Sequence, residues 1–382
     1  MQFSAKLISV AAFCLLSGCS SLNPFASKPD PKKLPAPLVE FKQTLAVKQV
    51  WSAPVGTAAK YVFTPAADGK DLYAAAADGT VIKIDAQNGQ VKWRINAGVA
   101  LTGGVGAGSG SVVVAGEKGT LLAFDSEGKS LWKIQQSSET LSAPAIGGGL
   151  VIVRSNDNKI TAYDQQSGAK KWSVDRQLPP LILRAVPGLV IVGEQVLVAL
   201  PGGRLASLSL KNGGLRWEAV VGEPKGNTEL ERVADVSGFP VVYSKDVCAT
   251  SYQGRVGCFD VNTGTPRWLK NISSEVGVSV DERFVFAADN VGVVNAYNRE
   301  GGSSAWKNDQ LARRHLSAPI SFGRAVAVAD FEGYVHFLSR EDGSFIGRLS
   351  TDGSQILATP IVVGSNLIVQ TKSGLVAAFA AE

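Results

Sequence analysis

The chain has 382 residues, 45% of them hydrophobic and 19% charged, with 38 Lys and Arg against 33 Asp and Glu. A net charge of +5 with scattered basic residues sets nucleic acid aside as a partner. No apolar run is long enough to cross a bilayer as a helix.

The N-terminus opens on Lys6 and a short apolar stretch, LISVAAFCLL (7–16). Its length and flanks read as a secretory signal over residues 1–18. Leu16-Ser17-Gly18-Cys19 resembles the bacterial lipobox. The resemblance implies cleavage before Cys19 and acylation of its thiol and new amino group. Several acyl chains on one residue anchor stably where a single chain does not. Ser20, where an aspartate would retain the chain inside, implies sorting to the outer membrane of a diderm bacterium. The competing reading is an ordinary secretory signal with a chance cysteine. Residues 19–40 then form the acylated cysteine and a tether rich in proline (Pro24, Pro29, Pro31, Pro35, Pro37) and lysine. Such a segment is extended and semi-rigid, and it is expected to hold residues 41–382 off the lipid, facing the periplasm.

From there the chain is a repeat. The seven tryptophans stand at 51, 93, 132, 172, 217, 268 and 306, a period near 40. Such a period marks one supersecondary unit copied many times. Asp78-Gly79 indexes the first copy, and the same frame fits Gly119, Asn158, Gly203, Gly254, Gly292, Gly333 and Gly374. Two residues after each index position an aliphatic side chain stands, and five after, a large apolar one, for example Val81 with Ile84 and Val335 with Leu338. Offsets of two and five point to opposite faces of a strand, so both faces are buried. An apolar run precedes each glycine, as in SVVVA (111–115), giving a hairpin whose loop ends in a residue of positive φ. A strand entered through proline lies upstream (Pro65, Pro144, Pro240, Pro319, Pro360), and a fourth carries the tryptophan. The expectation is an all-β, eight-bladed β-propeller with four antiparallel strands per blade. Copy seven has Gly347 in the tryptophan position, and copy eight lacks a fourth strand. The N-terminal segment around Trp51 is expected to supply that strand and close the ring, leaving no loose edge.

The candidate chemistry in the repeats is sparse. Asp85, Asp125, Asp164 and Asp260 recur at one turn and read as turn-stabilising residues. His315 and His336 have no Cys or acidic cluster at ligand spacing, so no metal site is expected. The glycine-rich run 103–110 reads as close packing near the axis. Cys248 and Cys258 fall at matched positions of one hairpin. The periplasm is oxidising, and two readings stand: a cross-strand disulfide, or two small apolar residues in the sheet. The repeat form also resembles that of pyrroloquinoline-quinone dehydrogenases, which implies a calcium site and a large cofactor chamber. The insertions here are short and no adjacent cysteine pair exists, so the expectation is no cofactor and no catalytic residue.

The repeat is stretched at two places. The longest connection follows Trp217 and the next follows Trp172, giving the irregular loops 218–239 and 173–186. Both join the last strand of one blade to the first strand of the next, in adjacent blades, so both emerge on one rim. Leu181, Ile182, Leu183 and Arg184 lie beside an acidic loop with Glu229, Glu231 and Asp235. Two readings stand. The leucines and Arg184 with Asp235 form a protein-binding patch, with aliphatic anchors and paired hydrogen bonds; or Leu181 and Leu183 fill the interior and Arg184 pairs with Asp235.

With lipobox, tether, eight such repeats and these two loops, the whole chain resembles the BamB family, propeller lipoproteins of the outer-membrane β-barrel assembly machinery. The motifs that carry the resemblance are Leu181-Ile182-Leu183-Arg184 and Thr228-Glu229-Leu230-Glu231-Arg232-Val233-Ala234-Asp235. The resemblance implies a non-catalytic scaffold that binds the central subunit BamA through its periplasmic domains. It implies roles there for Leu181, Leu183, Arg184 and Asp235, and contact with nascent outer-membrane proteins. One departure is Ser237, where the family pattern carries a second acid.

Overall fold

Apolar runs bounded by glycine turns fold as strands here because side chains on both faces find a neighbouring sheet. In the computed structural model, residues 34–183 and 188–381 are described. They form eight four-stranded antiparallel sheets, seven of them in plain chain order. Four of the first strands are short and start directly after a proline: Ala66–Asp68, Ala145–Gly147, Ile320–Phe322 and Ile361–Val363. Proline has no N–H to donate, so it suits a strand entrance. First strands of successive blades pack on one another around the axis. The eighth sheet takes its outer strand from Val47–Pro54, which runs antiparallel to Leu375–Ala381 with Trp51 opposite Ala378. The architecture is the eight-bladed β-propeller expected, closed through Trp51.

The core lies between blades rather than in one centre. Along Ala325–Ala329, Ala325, Ala327 and Ala329 face the cluster shared with blade eight, while Val326 and Val328 face the one shared with blade six. That alternation is the parity read from the sequence.

The tryptophan period has a mechanical cause. Each indole reaches from the outer strand of its blade to the last turn of the next. Trp51 Nε1 donates to the Ala86 carbonyl at 3.1 Å, Trp132 to Gln165 at 2.9 Å and Trp306 to Arg340 at 2.8 Å. Trp93, Trp172, Trp217 and Trp268 do the same. The ring lies flat on a glycine of that turn: a Cβ on Gly168 would meet Trp132 at 2.8 Å. Asp85, Asp125, Asp164 and Asp260 shape these turns by accepting backbone N–H bonds, as from Gln87, Glu127, Gln166 and Asn262.

Blade seven has no tryptophan, because blade eight has no such turn to receive one: its outer strand comes from the other end of the chain. Residues 36–45 lie across blade seven instead. Thr44 and Leu45 donate to the Ile346 carbonyl at 2.9 Å, and Phe41 stacks on Phe345 at 5.4 Å. A Cβ on Gly347 would touch Val47 at 3.3 Å. Two arginines clasp this strap. Arg314 donates to Ala36 O and Arg348 to Val39 O, both at 3.0 Å. Behind them, Arg314 Nε donates to Asp330 at 2.7 Å, His336 Nε2 lies 2.9 Å from the same carboxylate oxygen, and Arg348 Nε donates to His336 Nδ1 at 3.0 Å. Asp330 and His336 are wholly buried, and burial holds the imidazole below its usual pKa despite Asp330. The segment packed on the ring therefore starts before residue 41, at Ala36.

Two local details differ from the sequence reading or resolve it. In blade five the left-handed residue is Gln253 (φ 47°), and Gly254 opens the strand instead. Cys248 stands opposite Cys258 in register, and their sulfurs are joined, with Cα atoms 4.1 Å apart. The glycine run forms most of the strand Leu101–Gly108, packed so tightly that a Cβ on Gly106 would meet the Pro144 carbonyl at 2.3 Å.

Candidate functional site

In each blade the turn between second and third strands and the connection to the next blade open on the same face. On that face, at blades three to five, stand the two irregular loops. The second is half anchored. Residues 223–232 are exposed, whereas Val233, Ala234 and Asp235 are buried at 3%, 1% and 5% exposure.

Asp235 is the joint between the loops. One carboxylate oxygen accepts the Leu183 N–H at 2.6 Å and the other the Gly202 N–H at 2.9 Å. It thus ties the first loop, the second loop and the hairpin turn of blade four together. Burial raises its pKa, opposed by those two N–H groups and by the Arg154 guanidinium. Asp235 therefore faces inward rather than toward solvent, and the groups it holds are backbone. Arg184 lies outside the described residues, as do Cys19, the signal segment 1–18 and the tether up to residue 33.

Leu181 is 42% exposed and Leu178 38%, with Leu183 half-buried. The exposed half of the second loop is a single capped turn. Glu231 N–H bonds Thr228 Oγ1 at 3.2 Å, and the Glu231 carboxylate accepts from Asn227 N at 2.7 Å and Thr228 N at 3.1 Å. This is the reciprocal cap written by Thr228-Glu229-Leu230-Glu231. The two amides hold the Glu231 carboxyl below its usual pKa. Arg232 pairs with Glu229 at 3.4 Å and donates to Gly226 O at 3.1 Å. The turn presents Leu230, 68% exposed. Ser237, by contrast, is buried and donates to the Ser274 carbonyl at 3.0 Å.

Sequence reasoning missed Leu230 and the cap, although the T-x-x-E spacing was there to be read. It also missed Arg154, which nothing in its local sequence marks. The axis on this face holds a cavity of about 200 Å³, lined by Thr64, Phe239, Glu275, His315 and Leu357 among others. Among the described residues, no three His, Cys, Asp or Glu side chains converge as metal ligands would.

A family model described as outer membrane protein assembly factor BamB matches residues 44–100, 77–308 and 290–382. An outer membrane protein assembly factor BamB from Burkholderia pseudomallei is 41% identical over 99% of this chain and 98% of its own length. The crystal structure of BamB from Moraxella catarrhalis superposes with a TM-score of 0.80 at 29% identity, covering 88% of this chain and all of that one. A quinohemoprotein alcohol dehydrogenase from Comamonas testosteroni superposes with a TM-score of 0.68 at 14% identity, over 87% of this chain and 76% of its own, which is likeness of fold alone.

Proposed function

The chain belongs to the BamB family, and we propose that it serves as a non-catalytic subunit of the outer-membrane protein assembly machinery. In this reading Cys19 carries the lipid anchor, the propeller faces the periplasm, and the rim at blades three to five docks on the periplasmic domains of BamA. The observation that carries the docking reading is the Asp235 carboxylate, which fastens two irregular loops into one surface while Leu178, Leu181 and Leu230 stay exposed. Rigid loops with outward leucines lose little entropy on binding. Leu181 and Leu183 are the aliphatic anchors, Arg184 supplies paired donors to a carboxylate or carbonyl, and Asp235 acts by holding Leu183 in place. The recurring aspartates are engaged within their own turns, so they do not serve as a catalytic set.

The test is co-purification of BamA with the wild-type lipoprotein and with Leu181→Ala, Leu183→Ala and Arg184→Ala. Recovery is expected to fall about tenfold or more for at least one leucine and for Arg184, at unchanged thermal stability. Unchanged recovery from folded variants would remove this rim from the interface.

A further inference from the structure

We propose that Arg154 is a positioning residue for the docking surface, setting the backbone of both loops through Asp235 although it stands on neither. The inference rests on the docking reading above. Arg154 ends the strand Leu150–Arg154 of blade three, and its guanidinium crosses to blade four, where Nη1 donates to the Ala199 carbonyl at 3.2 Å. Ala199 in turn donates to the carbonyl of Gly188, where the first loop rejoins the sheet, at 3.2 Å. Its strand, Gln195–Leu200, leads directly into Gly202, which Asp235 holds. Arg154 therefore braces the strand whose turn and incoming loop the carboxylate fastens from the other side.

The charge of Arg154 also matters. A buried carboxylate that accepts only two N–H bonds is costly without a nearby cation. Among the described residues, the charged side chain acting on Asp235 is Arg154. Burial brings the guanidinium down to about 10, and Asp235 opposes that fall, so each group supports the ionised form of the other. As a carboxylate, Asp235 offers an acceptor to both Leu183 and Gly202; as a neutral acid, one of its oxygens carries a proton and accepts poorly. Arg154 keeps it in the form that fits.

Arg154→Gln retains an N–H donor for Ala199 without the charge, and Arg154→Lys retains the charge. Binding of the full lipoprotein in detergent to the periplasmic domains of BamA is measured against pH. Arg154→Gln is expected to bind about tenfold more weakly at neutral pH. Its binding is also expected to fail at a higher pH on acidification than that of wild type. The sign follows from the carboxyl: losing a neighbouring cation raises its pKa further, so protonation sets in earlier as pH falls. Arg154→Lys restores the wild-type profile. In an Asp235→Asn background, Arg154→Gln adds no further loss. The proposal is overturned if Arg154→Gln binds as wild type, or if it weakens binding equally in both backgrounds with an unmoved acid limb, which is a purely structural role. If the Leu183→Ala and Arg184→Ala variants bind normally, the docking reading itself has failed, and that result is separate from the Arg154 series.

Discussion

The repeat is broken in two regions, and the breaks do opposite things. At blade seven a tryptophan is missing and a strap fills its place. There the apolar groups turn inward: Leu45 is 2% exposed, Phe41 stacks on Phe345, and the carbonyls of Ala36 and Val39 are clasped by arginines, while Glu40, Lys42 and Gln43 face solvent. At blades three to five the connections are lengthened instead. There the backbone is fastened, through Asp235, while Leu178, Leu181 and Leu230 point outward. Both regions carry a buried carboxylate: Asp235 holds the Leu183 and Gly202 amides directly, whereas Asp330 holds Arg314, which in turn clasps the Ala36 carbonyl. They differ in where the apolar side chains go. An interruption of a repeat signals function when its apolar groups are left over after the ring has been closed.

The largest effect separating the two regions is expected from Asp330→Ala. This change removes the Nε partner of the Arg314 guanidinium, which is 3% exposed, leaving that charge to the half-exposed Glu332, and takes away the partner of His336 Nε2. Losing one member of a buried charged set costs about 3–5 kcal/mol. Thermal unfolding should fall accordingly, with amide exchange rising over residues 36–45, while the folded variant still captures BamA. Selective loss of BamA at unchanged stability would erase the distinction between the closing region and the rim.

A second variant tests why the tryptophan is absent. Gly347→Trp restores the repeat consensus, yet it is expected to destabilise by about 1–3 kcal/mol, as overpacking does. The side chain would run into Val47 and the Leu45 carbonyl, which lie 3.3 and 3.6 Å from a Cβ at this position, with no receiving turn in blade eight. A gain in melting temperature would mean that the strap yields easily and that the consensus, not the closure, governs this position.

How much of this was legible in the sequence follows from the range of the interactions involved. The blades were legible because strand parity and turn glycines are local signals repeated eight times. Closure through Trp51 was legible because one copy lacked a strand and one strand lacked a copy. The strap was not, since Phe41 and Leu45 belong to a short apolar patch without period, and their partners lie about 300 residues away in Phe345 and Ile346. On the rim, the loops were legible as excess length, but the direction of Asp235 was not. An acid in an acidic loop reads as surface, and its burial depends on Leu183 and Gly202, 52 and 33 residues distant. Arg154 was illegible for the same reason, being brought to the site by the packing of blade three on blade four.

The smallest expected effect is also the most specific to the rim. Thr228→Ala removes the hydroxyl that caps the turn under Leu230 and leaves the Glu231 amide without its acceptor. The loss of such a cap costs about 1 kcal/mol. The turn is exposed and outside the blades, so this cost falls on the loop's own order rather than on global unfolding. The melting temperature should therefore stay within experimental scatter, while amide exchange rises over residues 227–232. If Leu230 contributes to docking, BamA capture should drop by about fivefold, the binding equivalent of that local cost, and Leu230→Ser should weaken capture without altering exchange. If capture is unchanged while exchange rises, the turn is ordered for some purpose other than this partner, and the docking surface contracts to Leu181, Leu183 and Arg184. In either case the result bears on the contrast between the two breaks, because at blade seven the apolar groups Phe41 and Leu45 are packed against the ring, and their order is not lost without loosening it.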